Sequence, residues 1–172
     1  RREQRLGVAF PTEHRRFLET LHATRPRRRV VRYDGDEPIE CEEPGFYHWE
    51  QDLAEIERAR ADASDGLAYS AEHGTFWMPS WGTRPDHGPE RAARVAELVR
   101  AAPPLFPILG HRHVVGGTPG LVLSIYDADI IVYGTNLREY LLNELGGLFG
   151  ERRYEVGNYD LEKVPFWGEL VE

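Results

Sequence analysis

The sequence predicts an α+β domain with one central, mainly antiparallel sheet flanked by about four helices. Three observations predict it. Apolar residues recur at helical spacing in four separate stretches. Three short apolar runs, Leu105 to Leu109, Leu121 to Tyr126 and Ile130 to Tyr133, follow one another, with Gly116-Gly117 and Asp127-Ala-Asp129 supplying the turns between them. Helices and strands are grouped rather than alternating, which is the pattern of α+β proteins. All 172 residues are read as one domain, since that length suits one ordinary domain and not two.

The first helix is expected to start at Pro11, because proline suits the first helical position. Phe17, Leu18 and Leu21 form its apolar stripe, while Arg15, Arg16 and Glu19 face water. Arg29 to Asp34 alternates around Val30, Val31 and Tyr33 and reads as a strand, followed by turn chemistry at 34–38. A second helix is expected from Trp49 to Ala63, closed by Asp65-Gly66. Leu67 to Ser70 and Thr75 to Met78 then read as a short hairpin around Glu72-His-Gly74. A third helix opens at Pro89, buries Ala92, Val95, Leu98 and Val99, and stops before Pro103-Pro104. The fourth, Leu137 to Leu145, has Thr135 or Asn136 as its cap. The tail ends in Pro165-Phe-Trp-Gly168, apolar enough to dock on the body.

Composition excludes several classes. Hydrophobic residues at 41% and charged residues at 29% describe a globular chain, not a disordered or fibrous one. The lone Cys41 excludes an internal disulfide framework. No apolar run is long enough to span a membrane and no signal-peptide pattern opens the chain, so a soluble, cytoplasmic domain is expected. The net charge of −8 is unevenly spread. Residues 1–33 hold ten arginines against three glutamates, whereas the rest holds eleven basic and 26 acidic groups. Such an acidic body repels a polyanion, so Arg25-Pro-Arg-Arg-Arg29 reads as a solvated loop and not as a nucleic-acid contact.

Two stretches carry candidate chemistry. In Gly110-His-Arg-His113, a strand would put His111 and His113 on one face. With Asp127 and Asp129 they supply donor types that hold a divalent metal, which makes a small metal-dependent hydrolase one reading. The other reading is a strand end with hydrogen-bonding histidines and two turn-capping aspartates. In Gly74 to Pro85, Phe76, Trp77 and Trp81 either form an aromatic binding platform or fill the core. Packing is favoured, with Phe76 or Trp77 in the core, Trp81 covering its edge, Arg84 stacked upon it and Gly82 making a turn. Cys41 is a poor nucleophile beside Glu40, Glu42 and Glu43. The sequence has no nucleophile elbow, Walker loop or dinucleotide fingerprint, so no catalytic residue and no cofactor is assigned.

Taken in order, several segments resemble the SUKH superfamily. They are Phe10-Pro11, Asp65-Gly66-Leu67, Phe76-Trp77…Trp81-Gly82, Pro107-Ile108…Gly110-His111-Arg112, Leu123-Ser124…Asp129-Ile130…Tyr133-Gly134 and Pro165-Phe166-Trp167. The resemblance spans about residues 7 to 168. It implies an α+β domain that binds proteins and shares no catalytic residues. Bacterial members commonly bind and neutralise toxins, often nucleases, and fungal members act as regulatory scaffolds. On this resemblance Trp77, Trp81, Gly82, Arg84, His111, Arg112 and Asp129 are fold or groove positions. The acidic residues Asp34, Asp36, Glu37, Glu40, Glu42 and Glu43 form an expected docking edge for a cationic toxin. A scaffold reading would instead place a host protein or peptide on the Trp77–Trp81 region.

Overall fold

A computed structural model of the chain describes residues 3–4, 8–21, 28–34, 37–43, 45–146 and 156–171. Four strands, β3 (Leu105–Leu109), β4 (Arg112–Val115), β5 (Val122–Tyr126) and β6 (Asp129–Gly134), form an antiparallel meander in that spatial order. Around it lie α1 (Thr12–Leu21), α2 (Leu53–His73), α3 (Gly88–Ala101) and α4 (Leu137–Gly146). The expected α+β class is therefore present. A separate ribbon pairs β1 (Arg28–Asp34) with β2 (Glu37–Glu43).

The sheet is covered on both faces, which explains why its strands read as apolar runs and not as alternating patterns. One core gathers Leu105, Val115, Leu123, Ile125 and Ile130 under Ala63, Leu67 and Ala71 of α2, Val95 of α3 and the tail residues Val164, Trp167 and Leu170. The other gathers Phe106, Ile108, Val114 and Val122 under Phe17 of α1, Leu137 and Tyr140 of α4, and Phe46, Tyr47 and Trp49. Successive strand residues supply opposite cores, as a side-chain period of two requires, except at the register shift in β3, where Ile108 and Leu109 join the same core. The tail docks as expected: Trp167 is 1% exposed, and its indole N–H donates to Pro103 O at 2.8 Å.

The largest departure lies between residues 49 and 78. Helix α2 starts at Leu53, runs unbroken through Asp65-Gly66 and ends at His73, so the expected hairpin does not exist. Its buried stripe is Ile56, Ala59, Ala63, Leu67 and Ala71, mostly small residues that let the sheet approach closely. Gly66 belongs to that approach and does not terminate the helix. A Cβ on Gly66 would stand 2.5 Å from Asp127 Oδ1 and 3.0 Å from Asp127 Cα, in the β5–β6 turn. Trp49 precedes the helix in a turn, its indole N–H donating to Pro107 O. At the other end Arg91 of α3 donates to Ala71 O and Glu72 O, satisfying carbonyls that α2 leaves open, and to Pro85 O and Asp86 O of the loop before α3.

Capping also sets the start of α4. Asn136 Oδ1 accepts the Glu139 N–H at 2.9 Å, and the Glu139 carboxylate reaches back to the N–H and hydroxyl of Thr135. Gly157 N–H donates to the same carboxylate, tying the tail to this turn. Partial burial works against ionisation there, but the bonds from Thr135 and Gly157 outweigh it and hold Glu139 below the usual carboxylate range.

Candidate functional site

One face of the sheet, next to the β3–β4 and β5–β6 turns, carries exposed Tyr126 and Ile131 together with half-buried Arg112 and Tyr133. Ladder pairing aligns Arg112 with Ser124, and Ser124 with Ile131. The Arg112 guanidinium lies 4.3 Å from the centre of the Tyr133 ring, a cation–π contact. Next to it His111 is exposed, contacts Arg112 and meets the edge of Tyr126 at 6.0 Å. Tyr126 is 66% exposed and Ile131 40% exposed. Asp129 pairs with Tyr126 across the two-residue turn of Asp127 and Ala128. The sequence pattern singled out His111, Arg112 and Asp129 but missed Tyr126, Tyr133 and Ile131. Those three sit in apolar runs that read as core.

The four residues of the metal reading do not converge. His111 lies in the turn before β4 and is exposed, whereas His113 is 1% exposed beneath α2. The two histidines therefore do not share a face, because β4 begins only at Arg112. His113 Nδ1 faces His111 O at 3.1 Å and Nε2 faces Ala59 O at 3.3 Å. Burial drives its pKa down to about 4, although the two carbonyls favour the protonated ring. A neutral imidazole donates to only one of them at a time. Among the described residues, no three His, Cys, Asp or Glu side chains form a metal-sized cluster.

The aromatic stretch is a packed corner, with its roles exchanged relative to expectation. Trp81 is the core member at 4% exposure, while Phe76 and Trp77 pack edge-on around it at 5.3 Å. The Trp81 indole N–H donates to Glu169 Oε1, and Phe166 stacks on its face. Arg84 donates to Gly74 O. Gly82 turns the chain at φ +86°, a conformation that side chains disfavour. Phe166 itself adopts φ 65° and ψ −64°, with Trp167 N–H donating to Pro165 O, a strained γ-turn held by these aromatic contacts.

The expected acidic edge falls on β2. Register aligns Arg28 with Glu43, Arg29 with Glu42 and Asp34 with Glu37, so the basic and acidic runs of the sequence form one ribbon. Glu37 and Glu40 are exposed, as are Val31 at 53% and Ile39 at 49%, on alternate faces of the ribbon. Asp36 lies outside the described residues, as do the side chains of Asp34, Glu42 and Glu43. So does most of Arg25–Arg29, although Arg28 and Arg29 open β1.

Among the described residues no helix is long and apolar enough to cross a membrane. No family model matches the chain, and neither a curated protein nor a solved structure does.

Proposed function

We propose that this chain is a non-enzymatic protein-binding domain, a bacterial immunity protein of SUKH type that occludes a toxin in the cytoplasm. One observation carries the binding reading: Tyr126 and Ile131 stand exposed beside Arg112 on Tyr133 at the end of the sheet. Tyrosine and arginine dominate the residues that carry binding energy in protein interfaces, and an exposed isoleucine supplies apolar area beside them. The resemblance to SUKH proteins supports the choice of toxin as partner. Glu37 and Glu40, on an acidic body, suit a cationic partner such as a nuclease by steering its approach.

The two surfaces predict different kinetic signatures. Tyr126→Ala with Ile131→Ala should raise the dissociation rate and weaken the captured toxin's affinity at least about tenfold. Glu37→Lys with Glu40→Lys should slow association and flatten its salt dependence. Surface plasmon resonance against the toxin reads both. If both double variants bind with wild-type rates, the reading fails.

A scaffold that holds its partner at Trp77–Trp81 is less favoured, because Trp81 is enclosed by Phe76, Trp77 and Phe166.

A further inference from the structure

A groove of about 630 Å³ runs between α1 and α4, walled by Arg16, Phe17 and Thr20 on one side and Arg138, Leu141 and Leu145 on the other. That volume lies within the range of small-molecule sites. We propose that it binds a single-chain amphiphile with an anionic head, a long-chain carboxylate. It shares no residue with the protein-binding patch, so either assignment stands or falls without the other.

The groove is polar at one end and apolar along the rest. Both helices begin where the Glu13 carboxylate accepts the Leu137 N–H at 2.8 Å, which closes that end. Arg138 is in the first turn of α4, and Arg16 leans back towards the start of α1 because helical side chains slant that way. Both arginines are exposed, and among the described residues neither has an ion-pair partner. Set against the single Glu13, they leave that end with one net positive charge. Among the described residues that line it, the other half carries no charged side chain. Its floor of Phe17, Leu141 and Leu145 continues the core, whereas Leu142 faces the groove and belongs to neither core.

A cationic end and an apolar run match a head-and-tail molecule. A docked acidic helix would need cations recurring along the rim, and walls of ten residues, about 15 Å, carry them only in the first half. The head would accept charge-assisted hydrogen bonds from Arg16 and Arg138, and the tail would cover Leu141, Leu142 and Leu145.

Calorimetric titration with decanoate, dodecanoate and tetradecanoate, each below its micelle concentration, tests this. Saturable one-to-one binding is expected, tightening by up to about fourfold per methylene. Tetradecanol, with the same tail and no charge, should bind at least about tenfold more weakly. Arg16→Gln with Arg138→Gln should lower tetradecanoate affinity to a similar degree and leave tetradecanol unchanged. Both side chains are exposed, and circular dichroism melts confirm that the variant folds. Leu142→Asn, also half-exposed, should weaken both ligands. Absence of tetradecanoate binding, equal affinity in the double-arginine variant, or preference for an acidic amphipathic peptide over tetradecanoate would each overturn the proposal.

Discussion

The guanidinium of Arg112 lies 4.3 Å over the ring of Tyr133, on the sheet face that also carries exposed Tyr126 and Ile131. Both partners are half-buried, where a cation–π pair contributes about 1–2 kcal/mol to folding. On the proposed function Arg112→Ala is expected to lower stability by no more than about 2 kcal/mol while costing about 2 kcal/mol or more of partner binding. Chemical denaturation and partner titration on the same variant separate the two. A large folding defect with unchanged binding would make the pair structural.

Gly66 makes the second prediction. Alanine in a helix interior is favoured over glycine by about 1 kcal/mol, yet a Cβ here would meet the backbone of Asp127 at 3.0 Å. Overpacking of this kind costs about 1–3 kcal/mol, so Gly66→Ala should destabilise by about 1 kcal/mol net. Urea melts check it, and a gain in stability would contradict the close approach.

The same glycine shows where sequence reasoning fails. Local signals placed α1, α3, α4 and three strands of the meander, because their caps, prolines and apolar runs act within a few residues, whereas β4, which opens with Arg112 and His113, does not read as an apolar run. Asp65-Gly66 carries equally good local signals for a stop, but a contact 61 positions away decides its role. Likewise, neither Val31 nor Ile131 looks different in sequence from a buried strand residue. What covers a face is a tertiary fact. The acidic run at 37–43 was legible as charge, whereas its pairing with Arg28 and Arg29 followed only from the ladder.

His14 supplies a pH prediction. It is fully buried among Phe10, Trp49 and Phe106, and among the described residues neither ring nitrogen has a hydrogen-bond partner. Burial pushes its pKa down to about 3, as it pushes His113 to about 4. Above pH 6.5 both histidines are neutral in the folded and unfolded states. Between pH 6.5 and about 4 the unfolded chain takes up protons that the native state refuses, so stability falls as pH falls. The two together account for a slope of up to about 3 kcal/mol per pH unit. His14→Leu should raise stability at pH 7 by about 1 kcal/mol, by removing an unsatisfied buried group, and should remove about half of that slope. Denaturation at pH 7, 6 and 5 reads both, and an unchanged slope would mean that His14 is hydrated or paired in solution.

Glu139 titrates with the opposite molecular logic and the same sign. Its pKa is held below the usual carboxylate range, so its contribution is full above that range and is lost as pH falls through the lowered value. Glu139→Gln should cost about 1 kcal/mol at pH 7, in line with other helix-cap losses. It should also loosen the Gly157 segment, which amide hydrogen exchange at Gly157 would report. Full protection of that amide in the variant would contradict the cap.

The central claim is that the sheet end binds a protein. The most direct test is affinity capture from lysate of the native host, with the wild-type chain and the Tyr126→Ala/Ile131→Ala variant as parallel baits and mass spectrometry as the readout. The account predicts one strongly enriched protein with a basic domain on the wild-type bait, reduced at least about tenfold on the variant. Equal recovery of the same proteins on both baits, or no enrichment by the wild type, would contradict it.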